Sequence, residues 1–67
     1  MLNMYQRVRL NVDRYARDDA PFGSVGYIIE TYEGHKYEVE FSDADTGVTF
    51  ARLVLDESEL VPHPETS

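Results

Sequence analysis

The chain has no cysteine and no tryptophan, and only six basic residues against thirteen acidic ones in a total of 67. Each shortage removes a class of explanation. Without cysteine there is no disulfide staple, no thiolate nucleophile and no cysteine-type zinc site, and the lack fits a cytoplasmic setting. With so few lysines and arginines, the charge neutralisation that drives phosphate binding is scarce, so nucleic acid is not the expected partner. No apolar run approaches the ~18 residues a membrane-spanning helix needs. The first residues, Met1 to Arg7, lack the basic-then-apolar order of a secretory leader. The expectation is a soluble, cytoplasmic protein.

Sixty-seven residues make one domain. A chain of that length buries only about 60% of the surface it exposes when unfolded. With no staple available, a compact apolar core or a partner has to hold it. The net charge of −7 is unevenly spread. Residues 1–22 carry Arg7, Arg9, Arg14 and Arg17 against Asp13, Asp18 and Asp19, whereas residues 23–67 carry Lys36 and Arg52 against ten carboxylates. The second segment would be repelled by nucleic acid, and its acidity either keeps a small domain soluble and monomeric or attracts a basic partner, between which charge alone does not choose.

What is present is mostly alternation. Val8, Leu10 and Val12 fall on one parity and Arg7, Arg9 and Asn11 on the other, the period-2 mark of a half-buried strand over 5–12. Residues 13–22 read as a long loop packed through Tyr15 and Phe22, with room for a short helix over 12–17. In 25–32, Val25, Ile28, Ile29 and Tyr32 occupy both parities, which requires a bent strand, and Gly26 is the expected bend. Glu33-Gly34-His35 is a turn. In the third strand Tyr37, Val39 and Phe41 point inward while Lys36, Glu38, Glu40 and Ser42 point outward. After the turn at 43–47 comes a strand over 48–55, with Ala51, Leu53 and Leu55 inward and Phe50, Arg52 and Val54 on the other face. Asp56 caps a 3₁₀ turn over 56–60, and Leu60-Val61 supplies a short last strand. Residues 1–62 form the domain and 63–67 a flexible tail. The fold class is all-β: a small five-stranded SH3-like barrel with a long first loop and a 3₁₀ turn before the last strand. Closure into a barrel would remove exposed strand edges.

Taken together, Val8 and Leu10; Gly23, Val25, Gly26, Ile28, Ile29, Glu30 and Tyr32; Tyr37 to Phe41; Asp43, Asp45 and Gly47; and Leu55, Leu60, Val61 and Pro62 form a pattern over residues 7–62. It resembles that of a family of small stand-alone bacterial proteins of unknown function. The resemblance implies the SH3-like barrel and, through family members encoded beside small toxin-like genes, an antitoxin or immunity role. The chain departs from the pattern at Tyr27 and in its arginine-rich first loop.

Candidate chemistry is sparse. His35 and His63 are the only imidazoles and have no ligand spacing around them, so no metal and no cofactor are expected. Asp43-Ala44-Asp45-Thr46-Gly47 lacks the bidentate glutamate that would complete a calcium loop, since Val54 stands at the twelfth position. An acid catalyst would need one carboxylate of a pair held in a cleft, whereas Glu38 and Glu40 alternate outward into water. The Gly23 and Gly26 pair precedes a strand and not a helix, so it cradles no phosphate. The chain is expected not to be an enzyme. The functional expectation is a non-catalytic protein-binding module, of antitoxin, immunity or inhibitory type. It would dock a basic protein through Glu30, Glu38, Glu40, Asp43 and Asp45, with whichever of Tyr15, Tyr32 and Tyr37 is exposed beside the carboxylates as aromatic anchors. The alternative is a nucleic-acid- or ribosome-associated barrel using Arg7, Arg9, Arg14 and Arg17. Oligomeric state has no signature in the sequence.

Overall fold

The structure is a computed structural model that describes residues 2–43 and 45–64. Five antiparallel strands form one sheet in the order β4-β3-β2-β1-β5. They are β1 (Arg7–Leu10), β2 (Val25–Tyr32), β3 (Lys36–Ser42), β4 (Thr49–Asp56) and β5 (Leu60–Pro62), with 3₁₀ turns at Ala16–Asp18 and Glu57–Glu59. Strand identity follows the alternation. Val8 and Leu10 on β1, Ile28 on β2, Tyr37, Val39 and Phe41 on β3, and Leu55 on β4 are all buried, and Leu60, Leu2 and Ala20 complete the core.

β1 is shorter than its alternating stretch. At its start Tyr5 sits in the left-handed region (φ 63) while its N–H donates to the Ile28 carbonyl at 2.7 Å. Val12, beyond the strand, still packs against the core. In the long loop Tyr15 packs on the core as expected, but Phe22 is exposed. The small buried side chain there is Ala20, whose N–H is held by the Tyr15 carbonyl at 3.1 Å.

Two bulges bend the sheet, and neither is at Gly26. Ile28 lies opposite Val39 but Glu30 lies opposite Glu38, so Ile29 is the extra residue in β2. Phe41 lies opposite Ala51 but Ser42 opposite Thr49, so Phe50 is the extra residue in β4. An extra residue shifts parity beyond it. That is why β2 shows apolar residues on both parities. It is also why Phe50, assigned by alternation to the outer face, stacks on Phe41 of the core with ring centroids 6.4 Å apart. Gly26 serves a different purpose, since a Cβ there would strike the Glu40 carbonyl oxygen and come within 3.0 Å of the Phe41 Cα. It is a close-approach residue between β2 and β3.

The expected closed barrel is not found. Among the described residues nothing pairs β4 with β5, and these two strands are the edges of an open sheet. β5 has three residues and ends at Pro62, which has no N–H to extend a ladder. The radius of gyration, 10.9 Å, is nonetheless that of a compact chain of this length, about 11 Å. The sheet coils around its core without sealing.

The second 3₁₀ turn is held by a reciprocal cap. The Asp56 side chain receives the Glu59 N–H and the Glu59 side chain receives the Asp56 N–H, the latter at 2.9 Å. Asp56 therefore caps the turn as its sequence position predicts.

Candidate functional site: the outer face of the sheet

Register decides which outward residues meet. Across β2 and β3, Tyr27 stands opposite Glu40, Glu30 opposite Glu38 and Tyr32 opposite Lys36. Across β3 and β4, Lys36 stands opposite Asp56, Glu38 opposite Val54 and Glu40 opposite Arg52. β1 adds Arg7 opposite Tyr27 and Arg9 opposite Val25. The outer face thus gathers four of the eight predicted site residues, Glu30, Tyr32, Glu38 and Glu40.

The acidic stripe expected on this face is bridged by cations. The Arg52 guanidinium lies 3.8 Å from Glu38 and 3.7 Å from Glu40, and Lys36 Nζ is 2.6 Å from Asp56 Oδ1. Glu38 also accepts the Tyr32 hydroxyl at 2.7 Å, and Glu40 accepts the Thr49 hydroxyl at 3.1 Å. The hydrogen bond to Glu38 raises the Tyr32 phenol above its ordinary pKa. Glu30 accepts the Thr31 N–H at 3.0 Å. These pairs are solvent-exposed and contribute little to stability, but they orient the side chains. Tyr27, Tyr32 and Val54 are exposed beside them. Arg52, Lys36, Tyr27 and Val54 were not among the predicted site residues. The outward parity of Arg52 and Val54 on β4 was the available signal, and only the register placed them against the glutamates.

The other predicted residues lie elsewhere. Tyr15 donates its hydroxyl to Glu59 Oε2 at 2.7 Å, and burial together with that carboxylate raises its pKa. Tyr37 is buried, an inward core residue and not an exposed anchor. Its hydroxyl donates to Glu57 Oε1 at 2.7 Å and accepts the Leu2 N–H at 3.3 Å. The bond to Glu57 raises the Tyr37 phenol and holds the Glu57 carboxyl below the usual range. Asp43 and Asp45 sit in the β3–β4 turn. Asp43 Oδ1 accepts the N–H groups of Asp45 and Thr46 at 2.8 and 3.0 Å, which lower its pKa. This is a side-chain-closed turn, with Gly47 at φ 74 completing it; Ala44 lies outside the described residues.

One cleft, about 440 Å³, opens between Leu2–Met4 and the β2–β3 hairpin tip, lined by Thr31, Tyr32, Glu33, Gly34, His35 and Tyr37. Gly34 (φ 77) and His35 (φ 59) both adopt the left-handed region that this tight turn requires. His35 Nδ1 is 3.9 Å from Glu57 Oε1. Among the described residues no three histidine or carboxylate side chains converge as a metal site would need.

The four arginines are spread over β1 and the first loop. Arg14 pairs with Glu59 at 3.5 Å, Arg7 donates to the His63 carbonyl at 3.2 Å, Arg9 lies on β1 and Arg17 in the first 3₁₀ turn. His63, placed by sequence in a loose tail, is also held by its own N–H on the Arg7 carbonyl at 3.0 Å; residues 65–67 lie outside the described residues. No helix in the described structure is long and apolar enough to cross a membrane.

Comparison with curated proteins and with solved structures returns no match. The model of one family, a domain of unknown function (DUF4926), matches residues 4–62, and the chain belongs to that family.

Proposed function

We propose that the chain is a non-catalytic protein-binding module, of inhibitory or antitoxin type, that docks a basic protein on the outer face of its sheet. The observation that carries this reading is the composition of that face. Exposed Tyr27 and Tyr32 stand among Glu30, Glu38, Glu40 and Arg52, and tyrosine and arginine are the side chains enriched at protein interfaces. The net charge of −7 supports a basic partner by steering its approach. The strand order and the 3₁₀ turn before β5 support an SH3-like arrangement, left open between β4 and β5, as the scaffold. The setting proposed is the cytoplasm of a bacterium.

The test is capture of the partner from native cells at moderate salt, followed by titration with two variants. Tyr32→Ala and Glu30→Lys should each weaken binding at least about tenfold, the range of an interface anchor, with the circular dichroism spectrum unchanged. Affinity within twofold of wild type for both variants, or no protein retained by the native chain, would overturn the reading.

A further inference from the structure

The two edges of the sheet differ. β5 presents three residues ending in proline, the blunted edge common in natural sheets. β4 presents eight, Thr49–Asp56, with no proline, no lysine and no strand on its far side among the described residues. Phe50 and Val54 on this strand, and Val48 just before it, are exposed, Val54 at 56%.

The hydrogen-bond phase of that edge follows from one contact. The Glu57 N–H donates to the His35 carbonyl at 2.9 Å, in line with the Lys36–Asp56 and Tyr37–Leu55 pairs. Antiparallel ladders alternate, so Leu55 and Leu53 direct their backbone groups to β3. Asp56, Val54 and Arg52 direct theirs to the open edge. Consistently, the Asp56 N–H is taken by the Glu59 side chain and not by β3.

We propose that this edge receives the β4 edge of a second copy of the chain, antiparallel and centred on Val54, to make a continuous ten-stranded sheet. A two-fold axis at Val54 places each Val54 opposite its mate as a hydrogen-bonded pair and each Arg52 opposite Asp56 of the second copy. Each Arg52 guanidinium then joins Lys36 of the second copy on that copy's Asp56 carboxylate, whose own N–H stays on the Glu59 side chain, while Leu53 stands opposite Leu55 on the inner face. An axis at Arg52 would oppose two guanidiniums, and an axis at Leu53 would leave Arg52 facing valine. Arg52 is available for this role, since its side chain is 60% exposed and its contacts to Glu38 and Glu40 are long, 3.7–3.8 Å. Each copy carries −7, but at 0.15 M salt that long-range repulsion is screened beyond about 8 Å, whereas the Arg52–Asp56 contacts act well within that distance.

The edge shares Arg52 with the partner face proposed above, but its test needs no other protein. Sedimentation velocity of the wild-type chain between 10 μM and 1 mM should show a concentration-dependent monomer–dimer equilibrium. Val54→Lys opposes two ammonium groups across the axis and should weaken dimerisation at least tenfold without altering the far-UV spectrum. Because the native chain has no cysteine, Val54→Cys can form a disulfide only between copies. A hydrogen-bonded antiparallel pair sets the Cα atoms about 5.5 Å apart, within disulfide reach. That variant should oxidise to a covalent dimer at least ten times faster than Asn11→Cys, placed on an exposed loop. A wild-type chain that stays monomeric at 1 mM, a Val54→Lys variant that dimerises as well as wild type, or equal oxidation rates for the two cysteine variants would each overturn the proposal.

Discussion

Gly26 shows how one residue sets the distance between two strands. Its φ is unremarkable, and what it contributes is an absent Cβ against the Glu40 carbonyl and the Phe41 Cα. Those are backbone atoms and cannot rotate aside. Gly26→Ala should therefore push β2 from β3 and destabilise the fold by about 1–3 kcal/mol, the usual cost of overpacking. Urea unfolding monitored by circular dichroism measures it, and a midpoint equal to wild type would show that the strands have slack. The sequence marked Gly26 as special but assigned it the bend. Glycine in a strand signals either a bulge or a close approach, and no local feature separates the two.

At the scale of elements, Glu59 joins parts that are far apart in the chain. It is buried, caps the second 3₁₀ turn through the Asp56 N–H, accepts the Tyr15 hydroxyl and pairs with Arg14. Its own carbonyl accepts the Asn11 N–H at 2.8 Å. The long first loop is thus pinned to the turn that precedes β5. Glu59→Ala should cost about 1–3 kcal/mol from the lost cap and the unmet hydroxyl. It should also raise amide exchange in residues 13–20 more than in β3. Uniform exchange across both segments would mean the loop is anchored elsewhere. The capping box itself was legible, because Asp56 and Glu59 have the required spacing. The Tyr15 bond, spanning 44 residues, was not, because nothing local to either residue encodes it.

For the whole molecule, opposing proton linkages frame the pH range of stability. Asp43 and Glu57 have folded pKa values below their unfolded ones. The stability they contribute is fully present above the unfolded carboxylate range, about pH 4, and is lost as pH falls through the folded values. Tyr15, Tyr32 and Tyr37 are raised, so their contribution is complete below about pH 10 and is lost as pH rises through the folded values. Thermal midpoints should be flat between these limits and fall on both sides. Tyr37→Phe removes the bond that holds Glu57 low, and a carbon-detected NMR titration should then show the Glu57 midpoint rising. An unmoved midpoint would sink the assignment of that shift to Tyr37.

The same whole-molecule view marks the boundary of what the sequence could state. Alternation is a property of one strand, set by the pleat, so the inward order of Tyr37, Val39 and Phe41, the turn at Gly34 and the cap at Asp56 could be read from the sequence. Register is a property of two strands, and bulges at Ile29 and Phe50 reset it midway along β2 and β4. Only the assembled sheet therefore decided that Arg52 bridges Glu38 and Glu40, that Phe50 turns to Phe41, and that Tyr32 stands outward opposite Lys36. The open seam between β4 and β5 belongs to the same class. Three residues ending in proline cannot carry a ladder across, a limit of strand length and donor supply that appears once both edges are placed in space.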